Sequence, residues 1–239
     1  GSSGGAASAV GDSLLPFADG SDMMGSCRNP AAYSNLYGFR PTPGLIPEYR
    51  IMKIDKQLPL LSTPGCLART PDDMALFLDA VCGKHPLDPF SLDPQSSFRK
   101  DRDDDLSKIN IGWLSDMNGS YKFEEGIMDL CEKKLNDLDK AQMHISTTGT
   151  EINTNMLWDS WTTLRAKNIF NYLKEMNLEI NEELGLPVRW EYAKGRGLKS
   201  EDIHRSLGQR HECRMIVEKL FKQYDFLAIP SAQVFPFDK

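Results

Sequence analysis

The run Gly20-Ser21-Asp22-Met23-Met24-Gly25-Ser26-Cys27-Arg28-Asn29-Pro30-Ala31-Ala32 carries two glycines, two serines and an Asp–Arg pair within thirteen residues. A tight glycine turn before a serine can aim consecutive backbone N–H groups at one point, and Ser26 directly follows Gly25. A hydroxyl is a poor nucleophile at pH 7. Chemistry at Ser26 therefore needs a base within hydrogen-bond reach and donors for a developing oxyanion. Asp22 and Arg28 are close enough in sequence to pair and brace the turn. Upstream, Gly1-Ser2-Ser3-Gly4-Gly5 is a second serine-bearing glycine segment, and Ala6-Ala7-Ser8-Ala9-Val10 after it reads as a helix whose small side chains allow close packing.

Downstream, Thr70-Pro71-Asp72-Asp73 opens a helix: Thr as N-cap, Pro at the first position and carboxylates in the first turn. Met74, Phe77, Leu78 and Val81 continue it at helical spacing to near Gly83. Residues 84 to 106 are loop-like, ending in the charge run 99–105. Ile109, Ile111 and Trp113 alternate as in a strand, closed by Asn118-Gly119. Phe123, Ile127, Cys131, Leu135 and Leu138 step along a helix, a further helix covers about 154 to 175, and another begins at Ser200 as N-cap. Its apolar residues Ile203, Leu207, Met215, Ile216 and Leu220 are expected to face a core. Phe226 to Ile229, stopped by Pro230, is expected to be a short buried strand. Helices alternating with short apolar strands favour an α/β architecture.

The 239 residues carry 28 basic and 34 acidic side chains, a net charge of −6, which argues against nucleic acid as the main partner. The longest apolar run, Met74 to Cys82, is far too short to span a membrane and contains Asp79. Five cysteines, none in C-x-x-C spacing, point away from zinc and from a disulfide framework, and so to a reducing, cytoplasmic setting. No metal or cofactor is expected.

Taken together, the two serine segments resemble the amidase signature family, whose members carry G-G-S-S-G-G and then, about two dozen residues on, G-[ST]-D-x-x-G-S-x-R-x-P-A-A. Gly38-Phe39-Arg40-Pro41-Thr42-Pro43-Gly44 resembles the next motif, and Ser62-Thr63-Pro64-Gly65, Ala68-Arg69-Thr70 and the 225–234 strand also look like that family. The resemblance is dense over 1–82, patchy to 190 and visible again from 191. It implies a mixed sheet sandwiched between helices and an amidase acting through a Ser–cis-Ser–Lys triad and an acyl-enzyme. By motif position Ser26 is the nucleophile and Ser2 the bridging serine, cis to Ser3. The N–H groups of Met23, Met24, Gly25 and Ser26 form the oxyanion hole, with Ser3, Asp22 and Arg28 in support. The implied partner is a small-molecule amide, with a homo-oligomer open and no partner nucleic acid.

Two departures stand out. Met24 occupies a position where many members have Gly, and its side chain would narrow or line the acyl pocket. No lysine here matches the family's base, which lies upstream of the Ser-Ser segment. Residues 1–239 are thus expected to be the central part of one amidase-signature domain: signature region 1–82, helical substrate-side region 84–190, and return to the core over 191–239. Tested alone, they are expected not to turn over amides, and hydrolysis at the rate of an intact family member would contradict this.

Other patterns have plainer readings. Gly1-x-Ser3-x-Gly5 matches a nucleophile elbow, with His204 or His211 as imidazole, but His211 falls in line with the apolar positions of its helix. His85 and His144 read as loop residues. Ser97-Phe98-Arg99-Lys100 matches S-x-x-K inside a charged loop without K-T-G. Asp101-x-Asp103-x-Asp105 lacks the glycine and glutamate of a calcium loop. Asn118-Gly119-Ser120 is a sequon not expected to be glycosylated. Trp158, Trp161 and Phe170 are expected in the core, and Cys27 as an inward-packed small residue. A transamidase component of the amidotransferase A type is an alternative, set against the absence of the basic E-V-K-R-R segment expected of such proteins. A degenerate binding module with this fold is the other.

Overall fold

A computed structural model describes residues 2–48, 61–99, 105–178 and 180–238. The chain divides into two compact units, one of Gly1–Asp104 with Pro230–Lys239 and the other of Asp105–Ile229.

In the first unit, α1 (Gly4–Gly11), β1 (Phe17–Asp22), α2 (Arg28–Tyr33), β2 (Tyr37–Phe39), β3 (Thr63–Ala68) and α3 (Pro71–Val81) follow in order. The strands form an antiparallel sheet in the order β1-β3-β2, with Gly20 opposite Gly65, Asp22 opposite Thr63 and Phe39 opposite Cys66. Successive side chains of a strand point to opposite faces. Leu67 accordingly packs with Ala7, Cys27 and Ala31 of the α1/α2 side. Cys66 packs with Ile46 and Leu78, flanked by Phe77 and Val81 of α3. This small sheet thus has helices on both faces. The edge-to-face contact of Tyr33 with Phe237, at 6.1 Å, joins the last residues to this unit.

The second unit holds β4 (Asn110–Trp113), α4 (Ile127–Lys140), β5 (His144–Thr147), α5 (Thr154–Glu175), α6 (Leu186–Gly197), α7 (Ser200–Leu220) and β6 (Phe226–Ala228). Its sheet is parallel, in the order β5-β4-β6, with Ile111 between Ile145 and Phe226. The helices α5 and α6 approach closely at Gly195, where a Cβ would collide with the Ala166 carbonyl. Arg165 pairs with Glu191, and Lys194 Nζ donates to Thr162 Oγ1 at 2.8 Å.

Several helix and strand expectations are corrected. Gly126, at φ +89°, cannot continue a helix, so α4 starts at Ile127 and Phe123 lies outside it. Ser200 is the first residue of α7, and Lys199 is its cap, because the Lys199 N–H donates to Asp202 Oδ2 at 3.0 Å. The buried side chains of α7 are Ser206 and Cys213; Leu207 and Met215 are exposed. Phe226 is also exposed, although its strand β6 pairs with β4. Trp158 is 57% exposed and stacks on Trp161 at 5.7 Å. His144 opens β5 instead of lying in a loop, while His204 and His211 are exposed on α7. Lys100, Asp101 and Asp103, on which the S-x-x-K and calcium readings depend, lie outside the described residues, as does Gly1.

The cap of α3 forms as its sequence predicts: Thr70 Oγ1 accepts the Asp73 N–H at 3.1 Å and donates to Asp73 Oδ2 at 2.8 Å. Thr70→Ala should therefore cost about 1 kcal/mol of stability, measured by urea unfolding of the full-length protein.

Candidate active site

The Asp22 carboxylate, at the end of β1, is completely buried and organises the turn that follows it. Its Oδ1 accepts the Gly25 N–H at 2.8 Å, and its Oδ2 accepts the Cys27 N–H at 3.2 Å and the Arg28 N–H at 3.4 Å. The Arg28 guanidinium closes on it side-on, Nε to Oδ2 at 3.0 Å and Nη2 to Oδ1 at 2.9 Å. Arg40 adds a second guanidinium: Nη1 donates to Asp22 Oδ1 at 3.2 Å and to the Asp22 carbonyl, and Nη2 donates to the Leu61 carbonyl at 3.0 Å. Burial by itself pushes the carboxyl up. The Arg28 hydrogen bonds, the Gly25 N–H, the Arg28 charge and the Cys27 N–H outweigh it and hold Asp22 far below the ordinary carboxylate range. Asp22 in turn raises Arg28.

Gly25 turns the chain at φ +85°, where a side chain would be strained and its Cβ would meet the Asn29 amide at 2.9 Å. The Asn29 N–H closes the turn onto the Gly25 carbonyl at 2.8 Å, and α2 follows. Ser26 is thereby presented half-buried at the head of α2. Its Oγ accepts the Ser2 backbone N–H at 3.2 Å, which brings the two serine segments together across 24 residues. Ser3, the residue before α1, is buried, and its hydroxyl and the Cys27 sulfur both crowd the space beside Gly20. Cys27 is fully buried, as expected. Burial foremost, then the Asp22 charge, pushes its thiol up to about 11, so it stays neutral.

Most of the expected site residues, Ser2, Ser3, Asp22, Gly25, Ser26 and Arg28, therefore converge on one turn. Two details differ from the expectation. The Ser2 contact with Ser26 is made by the backbone N–H. The Gly25 N–H is directed inward to Asp22, so it braces the turn instead of facing a substrate; the Ser26 N–H has no protein acceptor among the described residues. Met24 is 51% exposed. Among the described residues no lysine is bonded to Ser2 or Ser26, and none of their His, Cys, Asp and Glu side chains group as a metal site would require. Among the described residues no helix is long and apolar enough to cross a membrane.

Arg40 is the residue that sequence reasoning missed. The signal available was its fixed place in Gly38-Phe39-Arg40-Pro41, but its partner depends on the β2–β3 register, which carries it to Asp22. Gly20 and Gly65 are a second such pair. A Cβ at Gly20 would lie 2.7 Å from Ser3 Oγ and 2.9 Å from Cys27 Sγ, and one at Gly65 would collide with the Phe39 carbonyl and lie 3.2 Å from the same sulfur.

The fold is that of the amidase signature enzymes. A bacterial aryl acylamidase of that family superposes with a TM-score of 0.82 at 24% identity, covering 95% of this chain and 48% of its own. The A subunit of glutamyl-tRNA(Gln) amidotransferase from Thermotoga maritima superposes at 0.79 with 20% identity, over 100% of this chain and 52% of its own. The family model described as Amidase matches residues 1–239, and the chain belongs to that family. Among relatives by sequence, the A subunit of glutamyl-tRNA(Gln) amidotransferase from Thermus thermophilus is 39% identical over 112 residues, 47% of this chain and 23% of that protein. Its counterpart from Cenarchaeum symbiosum is 24% identical over 259 residues, 99% of this chain and 53% of that protein. The chain spans about half the length of the relatives it matches from end to end.

Asp22→Asn leaves two guanidiniums without their carboxylate. It should cost roughly 2–3 kcal/mol, below the usual figure for a buried pair because Arg28 is half exposed. Since the folded carboxyl is depressed, its stabilisation is complete above the unfolded value of about 3.9, declines below it, and is lost only as pH falls through the much lower folded value. The melting temperatures of the two full-length proteins should therefore differ by a constant amount from pH 7 to about pH 5, and by a smaller amount, still not zero, at pH 3.

Proposed function

We propose that the protein is a serine amidase that hydrolyses a carboxamide through an acyl-enzyme, with Ser26 as nucleophile. The observation that carries this reading is Ser26 Oγ, held by the Ser2 N–H on a turn fixed by Asp22. A backbone donor on Oγ polarises the hydroxyl while leaving its proton free to be taken. Ser26 Oγ bonds to the carboxamide carbon and the C–N bond breaks. The serine proton passes by way of the Ser2 hydroxyl to the leaving ammonia or amine, and water then releases the carboxylic acid. The Ser26 N–H is the first oxyanion donor, with the N–H groups of Met23 and Met24 beside it by motif position. Ser3, Asp22 and Arg28 hold these groups in place. The base implied by the family resemblance is a lysine, which in a dry pocket is neutral enough at pH 7 to accept the proton.

A second reading, a transamidase component of the amidotransferase A type, is favoured by the sequence relatives, which carry that name. Such a component releases ammonia for a partner, so co-purification of the full-length protein with further subunits and glutamine-dependent amidation of an acylated tRNA would select it. A free-standing amidase turns over amides unaided.

Both enzymatic readings share a first test. The full-length protein treated with a fluorophosphonate should gain one adduct on Ser26, located by peptide mass spectrometry, and Ser26→Ala should lose the adduct and at least 10³-fold in kcat. An adduct on Ser3 would transfer the role to the elbow serine. No adduct at all would leave a binding module.

A further inference from the structure

We infer that Arg40 is a positioning residue for the oxyanion donors, its guanidinium holding the Asp22–Met23 peptide by its carbonyl and so fixing the turn that presents Ser26. The inference rests on Ser26 being the nucleophile and the Met23 N–H one of the donors. The pairing of β1 with β3 ends at Asp22 and Thr63. At that end the carbonyls of Asp22 and Leu61 are both acceptors and cannot bond to each other. The Arg40 fork joins them: Nη1 donates to the Asp22 carbonyl, and Nη2 donates to the Leu61 carbonyl at 3.0 Å. The guanidinium thus stands in for a further rung of the ladder, anchored on the buried Leu61.

A peptide unit is planar, with its C=O and N–H pointing in opposite directions, so a carbonyl held on one side directs the N–H to the other. Gripping the Asp22 oxygen therefore sets the direction of the Met23 N–H. The same Nη1 reaches Asp22 Oδ1 at 3.2 Å, which ties the side chain and the main chain of Asp22 to one point. Arg28 has a different task. Its Nε and Nη2 take the two carboxylate oxygens, and its side chain is 49% exposed against 25% for Arg40. Arg28 neutralises the carboxylate from within the turn, while Arg40, reaching it from beyond β2, fastens the turn to the sheet. An ammonium at the same place would keep the charge but lacks a planar fork matched to two carbonyls.

The test is the rate at which a fluorophosphonate modifies Ser26 in the full-length protein, because the phosphonyl oxygen of the probe takes the place of the oxyanion. Arg40→Met should lower the limiting rate at saturating probe about tenfold, as expected when donors are misplaced by a fraction of an ångström. Arg40→Lys, which can hold one carbonyl, should lose about threefold. Ethylguanidinium, the group missing from Arg40→Ala, should raise that variant's rate about threefold and leave the wild type unchanged. A general loss of stability produces neither response, so Thr70→Ala should react at the wild-type rate. Melting temperatures identify a variant that does not fold; if Arg40→Met or Arg40→Ala is one, Arg40→Lys decides. Modification of Arg40→Met or Arg40→Lys at the wild-type rate, or an Arg40→Ala loss that ethylguanidinium leaves untouched, would overturn the positioning role while leaving Ser26 the nucleophile. A wild-type protein that is never modified at Ser26 overturns the proposed function instead, and the positioning role with it.

Discussion

A single buried carboxylate determines where the candidate site stands. Asp22 ends β1, and every bond it accepts comes from the next six residues or from Arg40 beyond β2. Placing a bare carboxylate in such a position would cost several kcal/mol, and the site is tenable only because two guanidiniums and three backbone donors converge on it. The same bonds that solvate the charge also dictate the path of the chain. The donors can reach the carboxylate only if the backbone doubles back at Gly25, and that reversal places Ser26 at the head of α2.

The sheet supplies the other constraint. β3 is flanked by β1 and β2 and buried on both faces, so its side chains must be small or absent wherever something else approaches. Glycine at 65, opposite glycine at 20, opens a notch on the α1/α2 face, and Gly38 in β2 does the same where Ala31 and the Cys27 carbonyl come close. These openings let the Ser2-Ser3 and Ser26-Cys27 segments sit against the strands with no intervening layer of side chains.

The sequence made this site more legible than the strands around it. Elements with capping chemistry could be read directly: Thr70-Pro71-Asp72-Asp73 specifies the start of α3 by local bonds alone. The turn at 20–28 was equally readable, because Asp22, Gly25 and Arg28 interact within a few residues. β1, β2 and β3 gave no such signal. Thr63-Pro64-Gly65-Cys66-Leu67-Ala68 contains a proline and a glycine and alternates weakly, and it is a strand because of its two neighbours. The helix α6 was hidden for a similar reason: its glycines lower helix propensity, and Gly195 earns its place by letting α5 come close. Arg40 was seen as a motif letter but not as a partner of Asp22, since that contact is long-range and depends on strand register.

The charge count at the Asp22 cluster has a bearing on substrates. One carboxylate faces two guanidiniums, so behind the serine a surplus of one positive charge remains, in a chain whose overall balance is −6. Partly shielded from water, that surplus acts over a longer range than a surface charge would. It lowers the energy of any negative charge held at Ser26 and raises that of a positive one.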